Sequence, residues 1–163
     1  MNEITLGPSR RIILQDLNVA LSSNFREMKS FSTLEEFISQ HEKYRQWLIE
    51  LLREEFVILC TARSKDFQQI TLSRIYSETG WKPNACFFND LIKSEKTLYS
   101  APAAKREYVL NRIFPRYGSD PSLYFAIESN YKTRHMYDSL GIYSIDANRN
   151  DSHPWKSIPQ KHF

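Results

Sequence analysis

Apolar residues in this chain follow two patterns that alternate along its length. The first is a short unbroken run: IIL within residues 11–15, FVIL within 56–60, CFF within 85–88, LYFAI over 123–127 and a last run over 142–145. Short runs without polar alternation suit strands that are buried on both faces. The second pattern is a spacing of three and four. Leu34, Phe37, Ile38, Tyr44, Trp47, Leu48, Leu51 and Leu52 recur at those steps, which predicts one helix over residues 33–55. Thr33 followed by Glu36 is a capping-box pattern at its start. Further helices are predicted over 65–79, ending near Gly80; over 103–114, stopped by Pro115 and Gly118; and over 133–140, closing at Gly141. Residues 93–101 are polar and ambiguous. The first ten residues read as a tail, and the chain from Asn148 onward, with Pro154 and Pro159, reads as irregular.

Strands and helices alternating in this order predict an α/β protein, a Rossmann-like three-layer sandwich with a mostly parallel central sheet covered on both faces. One domain is expected over residues 1–163, with its core over 11–146 and an irregular tail over 147–163. Ligands of such sheets lie at the carboxyl ends of the central strands. The first polar residues after the predicted strands are therefore site candidates: Asp16, Thr61, Asn89 and Glu128.

Composition narrows the function classes. The chain has 163 residues, 41% hydrophobic and 25% charged, which suits a globular protein with a real core. No apolar run approaches the ~20 residues that span a bilayer, and the N-terminal stretch is too polar for a signal-peptide core, so a cytoplasmic protein without membrane association is expected. Cys60 and Cys86 sit inside apolar runs and read as reduced core thiols. No Cys/His cluster has zinc-ligand spacing, and there is neither a Ser-His-Asp order nor a glycine-rich phosphate loop. A net charge of +3 leaves a polyanionic partner open without requiring one.

The strand-end residues carry a family resemblance. Asp16-Leu17-Asn18-Val19-Ala20 follows the first strand, Thr61 follows the second in VILCTAR, Lys105 lies in APAAKREYVLNRI, and Glu128-Ser129 follows the fourth in FAIESNYKTRHMYDSLGI. Together, over residues 11–146, these resemble the four motifs of the haloacid dehalogenase (HAD) superfamily. The resemblance implies an Asp16 nucleophile that forms an aspartyl-phosphate, with Thr61 and Lys105 on the phosphate. It also implies a Mg²⁺ ion held by Asp16, Asn18, Glu128 and Ser129. Two positions depart from the family pattern. Asn18 stands where the family's second Asp protonates the leaving alcohol and then activates water. An amide cannot exchange that proton, a loss on the order of 10²- to 10⁴-fold in rate. Ser129 stands where a metal-binding acid is expected.

The intervals before Thr61 and before Lys105 are too short for a folded cap domain, leaving only a flap-sized piece around residues 21–31. A softer likeness is to the phosphatase module of polynucleotide kinase/phosphatase enzymes, through the TRHMYDSLGIYSI stretch. Arg63, directly after Thr61, is the best further phosphate contact. Lys65, Lys93, Lys96, Arg106, Lys132 and Arg134 are candidate rim cations, and Trp81, Tyr99 and Tyr131 candidate stacking rings. His41 and His135 fall in helices, and His153 and His162 in the tail. Two readings follow. One is a Mg²⁺-dependent phosphatase acting through Asp16 on a nucleotide or nucleic-acid terminal phosphate, with an atypical acid/base step. The other is a degenerate HAD-like domain that binds phosphate, nucleic acid or a protein.

Overall fold

A computed structural model describes residues 11–94 and 97–146. Both predicted tails lie outside the described residues, as do Lys96, the side chain of Lys93, His153 and His162. Five strands form one parallel sheet: β1 (Ile12–Gln15), β2 (Phe56–Ser64), β3 (Ala85–Asn89), β6 (Tyr124–Ile127) and β7 (Tyr143–Ile145). Their spatial order is β3-β2-β1-β6-β7. The chain steps outward from β1 to β3, then returns to the other side of β1, so the reversal falls beside β1, where doubly wound sheets open a crevice.

The unbroken apolar runs serve both faces. Ile13, Val57, Leu59, Phe125 and Ile127 pack with Leu48, Ile49, Leu52 and Ile75 of helices α2 (Gln46–Leu52) and α3 (Gln68–Thr79). Ile12, Leu14, Ile58, Cys60 and Ala126 face the opposite way, onto Ala104 of α4 (Ala101–Glu107), onto Tyr108 and Val109, which follow it, and onto Met136 and Tyr137 of α6 (Tyr131–Ser139). This is the expected three-layer arrangement. No helix among the described residues is long and apolar enough to cross a membrane.

Two expectations about elements are corrected, and the stretch left open takes a definite form. The single helix over 33–55 is two, α1 (Leu34–Gln40) and α2, although Thr33 does accept from the Glu36 N–H as its pattern predicts. The chain unwinds between them because the turn is used elsewhere. Ser22 and Tyr44 form an isolated bridge, and the Arg45 N–H donates to the Leu21 carbonyl. Helix α4 does not stop at Pro115. It passes through a wide turn over Tyr108–Ile113 into α5 (Phe114–Tyr117), where a proline at the first turn costs no internal bond, and it ends at Gly118. The ambiguous residues form a two-stranded antiparallel ribbon, β4 (Ile92–Ser94) with β5 (Thr97–Leu98). Asn89 closes this loop rather than reaching the sheet crevice, accepting from the Leu91 N–H and donating to the Tyr99 carbonyl. Among the described residues no cap domain is inserted.

Candidate active site

Asp16 is held by the sheet itself. Its N–H donates to the Ile127 carbonyl at 2.9 Å, extending the β1–β6 ladder by one residue, and its carbonyl accepts from Gln15 Nε2 at 2.8 Å. The backbone then turns sharply. Asn18 is extended, and Val19 takes a left-handed φ of 67°. A β-branched residue there is strained. Arg45 fastens the turn from outside, donating from Nε to the Ala20 carbonyl and from Nη2 to the Val19 carbonyl.

The carboxylate of Asp16 is nearly buried, and its two oxygens have different partners. Lys105 Nζ donates to Oδ1 at 2.7 Å and to Glu128 Oε2 at 2.5 Å. Ser129 Oγ lies 2.8 Å from Asp16 Oδ2 and 3.0 Å from the Asn18 carbonyl, so its one proton serves either oxygen. Residues 89 positions apart in the chain are thus in direct contact. Burial opposes the Lys105 ammonium, but the charges of Asp16 and Glu128 outweigh it and hold the ammonium above its ordinary pKa. Burial, with Asp16 adding to it and Lys105 opposing, pushes Glu128 up to about 7. Two carboxylates and one ammonium leave one negative charge in excess, and a high Glu128 pKa is how a poorly solvated cluster sheds it.

Thr61 lies fully buried in β2, two residues beyond the Gln15–Leu59 pairing and so level with the residues after β1. Its Oγ1 accepts from the Arg63 N–H at 3.0 Å, and its carbonyl accepts from the buried Tyr108 hydroxyl. Glu128 prolongs β6 through its N–H to the Ile145 carbonyl, and its Oε1 accepts from the Asn130 N–H.

The structure therefore brings together Asp16, Asn18, Lys105, Glu128 and Ser129, with Thr61 beside them. Arg63 does something else. The residue is 4% exposed, and its guanidinium donates twice to the buried Glu42 carboxylate and also to Thr71 Oγ1 and Asn18 Oδ1. Those bonds direct it inward, against the expectation of a phosphate contact. Trp81 is also buried, in the core beside α3, and does not offer a stacking face. Tyr131, Lys65, Arg106 and Lys132 are exposed, and Arg134 is paired with Asp146. Sequence reasoning missed Glu42, Tyr108 and Thr71. An isolated glutamate in a polar turn sends no signal of burial, and a tyrosine in a helix reads as packing.

Hard oxygen donors for a cation are Asp16 Oδ2, the Asn18 carbonyl and Ser129 Oγ. At metal–oxygen distances of 2.0–2.1 Å, neighbouring ligands of an octahedral ion stand about 2.9 Å apart. The 2.8 and 3.0 Å separations on either side of Ser129 Oγ fit that spacing. Glu128, turned to Lys105, stands outside the set. Among the described residues no group of three or more His, Cys, Asp or Glu could hold a metal. An ion here would rely on substrate and water for the other half of its shell.

A five-stranded parallel sheet, an acid at the end of β1, a lysine from α4 and a glutamate at the end of β6 define a HAD-like fold. Solved structures with this fold include two chains from structures of the Pnkp1/Rnl/Hen1 RNA repair complex. One aligns at a TM-score of 0.62 and 15% identity over 85% of this chain and 42% of that one; the other at 0.61 and 13% over 86% and 46%. A phosphoserine phosphatase, solved as a phospho-aspartyl intermediate analogue, aligns at 0.51 and 13% over 85% and 86%. The chain spans less than half the length of the RNA-repair chains. Identities this low establish the fold. No sequence-family model and no curated protein matches the chain.

Proposed function

We propose that this chain is a HAD-like phosphohydrolase that works through Asp16 on the terminal phosphate of a nucleotide or nucleic acid. The observation that carries the reading is the Lys105 ammonium clamped between Asp16 and Glu128 at the carboxyl end of β1. It offsets the repulsion between a carboxylate nucleophile and an anionic phosphoryl group. Asp16 would attack phosphorus, with Lys105 and Thr61 on the phosphoryl oxygens. Asp16, the Asn18 carbonyl and Ser129 would hold Mg²⁺. The ion supplies charge neutralisation at the phosphoryl oxygens when bound. The likeness to RNA-repair chains and the absence of a cap among the described residues favour a bulky, nucleotide-bearing substrate.

A second reading has its own support. Asn18 cannot move a proton, and the Ser129 hydroxyl already bridges Asp16 and Asn18. Both suit a domain that binds phosphate, nucleic acid or a protein without turning substrate over.

Phosphate release from an aryl phosphate, nucleoside monophosphates and 3′-phosphorylated oligonucleotides separates the two. Release that requires both Mg²⁺ and Asp16 is expected, and Asp16→Ala should abolish it. Release no greater than in Asp16→Ala would sink the enzyme reading for these substrates. Asn18→Asp combined with Ser129→Asp should raise turnover if the scaffold is otherwise competent.

A further inference from the structure

The turn that breaks the predicted helix, residues 41–45, does more than connect α1 to α2. Three donors of Arg45 take three consecutive carbonyls of the strand-end turn. Its N–H donates to the Leu21 carbonyl at 2.9 Å, its Nε to the Ala20 carbonyl at 2.8 Å and its Nη2 to the Val19 carbonyl at 3.0 Å. Glu42, fully buried, reaches the same turn through Arg63. It accepts from Arg63 Nη2 at 2.7 Å and from Nη1 at 3.1 Å, which stops the guanidinium plane from rotating. Arg63 Nη2 also donates to Asn18 Oδ1 at 2.8 Å.

The other acceptors of the strand-end turn are engaged too. The Leu17 carbonyl accepts from the Ser22 N–H, and the Asp16 carbonyl from the Leu21 N–H and Gln15 Nε2. Of the carbonyls from Asp16 to Leu21, the one that meets Ser129 is that of Asn18, 3.0 Å from its Oγ. What parts it from its neighbours is the backbone at Val19. A left-handed φ of 67° there leaves the Asn18 carbonyl at Ser129 and the Val19 carbonyl at Arg45. A β-branched residue stays in that conformation only while its surroundings hold it. Arg45 holds the far side of Val19, and Arg63 holds the near side through the Asn18 side chain.

We infer that Arg45 and the Glu42–Arg63 pair are positioning residues that keep the Asn18 carbonyl in place for a divalent cation. The inference rests on the reading in which Asp16, the Asn18 carbonyl and Ser129 hold Mg²⁺. That ion demands near-ideal octahedral geometry. A neutral carbonyl draws it less strongly than a carboxylate does, so its contribution depends on standing at the right distance beforehand. None of the three positioning residues touches the ion or the substrate. They act through the backbone of residues 18–21, and two of them come from the turn where helical periodicity fails.

Mn²⁺ binding measures this without turnover, through loss of the free-ion paramagnetic resonance signal in titrations of the full chain. Wild type is expected to bind an ion at a site that Asp16→Ala removes. Arg45→Lys replaces a rigid fork by a single point of contact. It should weaken that binding by about tenfold, as loss of a group that orients a metal's ligands does. Glu42→Gln should weaken it to a similar degree. Two comparisons separate positioning from a general loss of stability. Ile58→Ala, in the sheet core, should lower the melting temperature and leave Mn²⁺ affinity unchanged. Val19→Gly adopts the left-handed φ without strain, so in the Arg45→Lys background it should recover most of the lost affinity. Absence of that recovery would overturn the role given to Arg45. Either clamp variant binding Mn²⁺ as tightly as wild type, or Ile58→Ala losing as much affinity as they do, overturns the inference and leaves the Asp16 reading standing. If wild type binds no ion that Asp16→Ala removes, the inference falls with the cation set, whatever phosphate release shows for Asp16.

Discussion

Asp16 has one carboxylate oxygen against an ammonium and the other against a hydroxyl, and the charge balance around it leads to a pH dependence. Glu128 is raised from 4.5 to about 7 because burial outweighs the help of Lys105. Between those values the folded protein binds more protons than the unfolded chain, so stability falls as pH rises through the window. Glu128→Gln removes that titration. The wild-type melting temperature should therefore decline relative to Glu128→Gln between about pH 4.5 and 7.5 in buffers free of divalent cations. Parallel curves for the two proteins would show that Glu128 titrates in the ordinary range. At this scale the sequence was legible where a residue's place depends on its position after a strand, as for Asp16, Thr61 and Glu128. It was not legible for Arg63. That position also follows the strand-end threonine, but its direction is set by Glu42, 21 residues away and carrying no local pattern.

The turn over residues 17–21 is the element that aims the site, and it does so under strain. Val19 at a φ of 67° loses roughly 1–3 kcal/mol relative to a relaxed backbone. Val19→Gly relieves that cost while giving the unfolded chain more freedom, by about 0.5–1 kcal/mol. Its stability in urea should thus stay within about 1 kcal/mol of wild type, although a half-buried side chain has been removed. A loss above about 2 kcal/mol would mean that Val19 packing outweighs its strain. The helical elements show what periodicity misses. Apolar residues keep helical steps from Leu34 to Ile38 and again from Tyr44 to Leu52, and in the six-residue step between them the chain unwinds at residues 41–45, where Lys43 and Arg45 bond to Ser23 and Leu21 and Glu42 meets Arg63. Bonds to residues twenty or more positions away overrode a local preference worth a few tenths of a kcal/mol per residue.

Across the whole molecule the central sheet is sandwiched between two apolar layers, so strand residues are more costly to alter than helix residues of the same kind. Ile58, fully buried against α4 and the residues after it, should cost about 2–5 kcal/mol when changed to Ala. Leu51, part of the same apolar periodicity as Leu48 but 37% exposed on α2, should cost less than about 1 kcal/mol. Denaturant midpoints at equal m-values would measure both, and equal losses would contradict the layer assignment. Alternating strands and helices, continuous apolar runs and polar residues at strand ends are local properties, and they determined the α/β class, the parallel sheet and the identity of most residues around Asp16. The tertiary structure alone decided the direction of Arg63, the orientation of the Asn18 amide, the burial of Glu42 and Trp81, and the sharing of one Lys105 proton donor between two carboxylates. The physical reason is the same in each case. These are pairings between distant side chains whose geometry exists only once the sheet has brought its strand ends together, and hydrogen-bond partners at such separations leave no period in the chain.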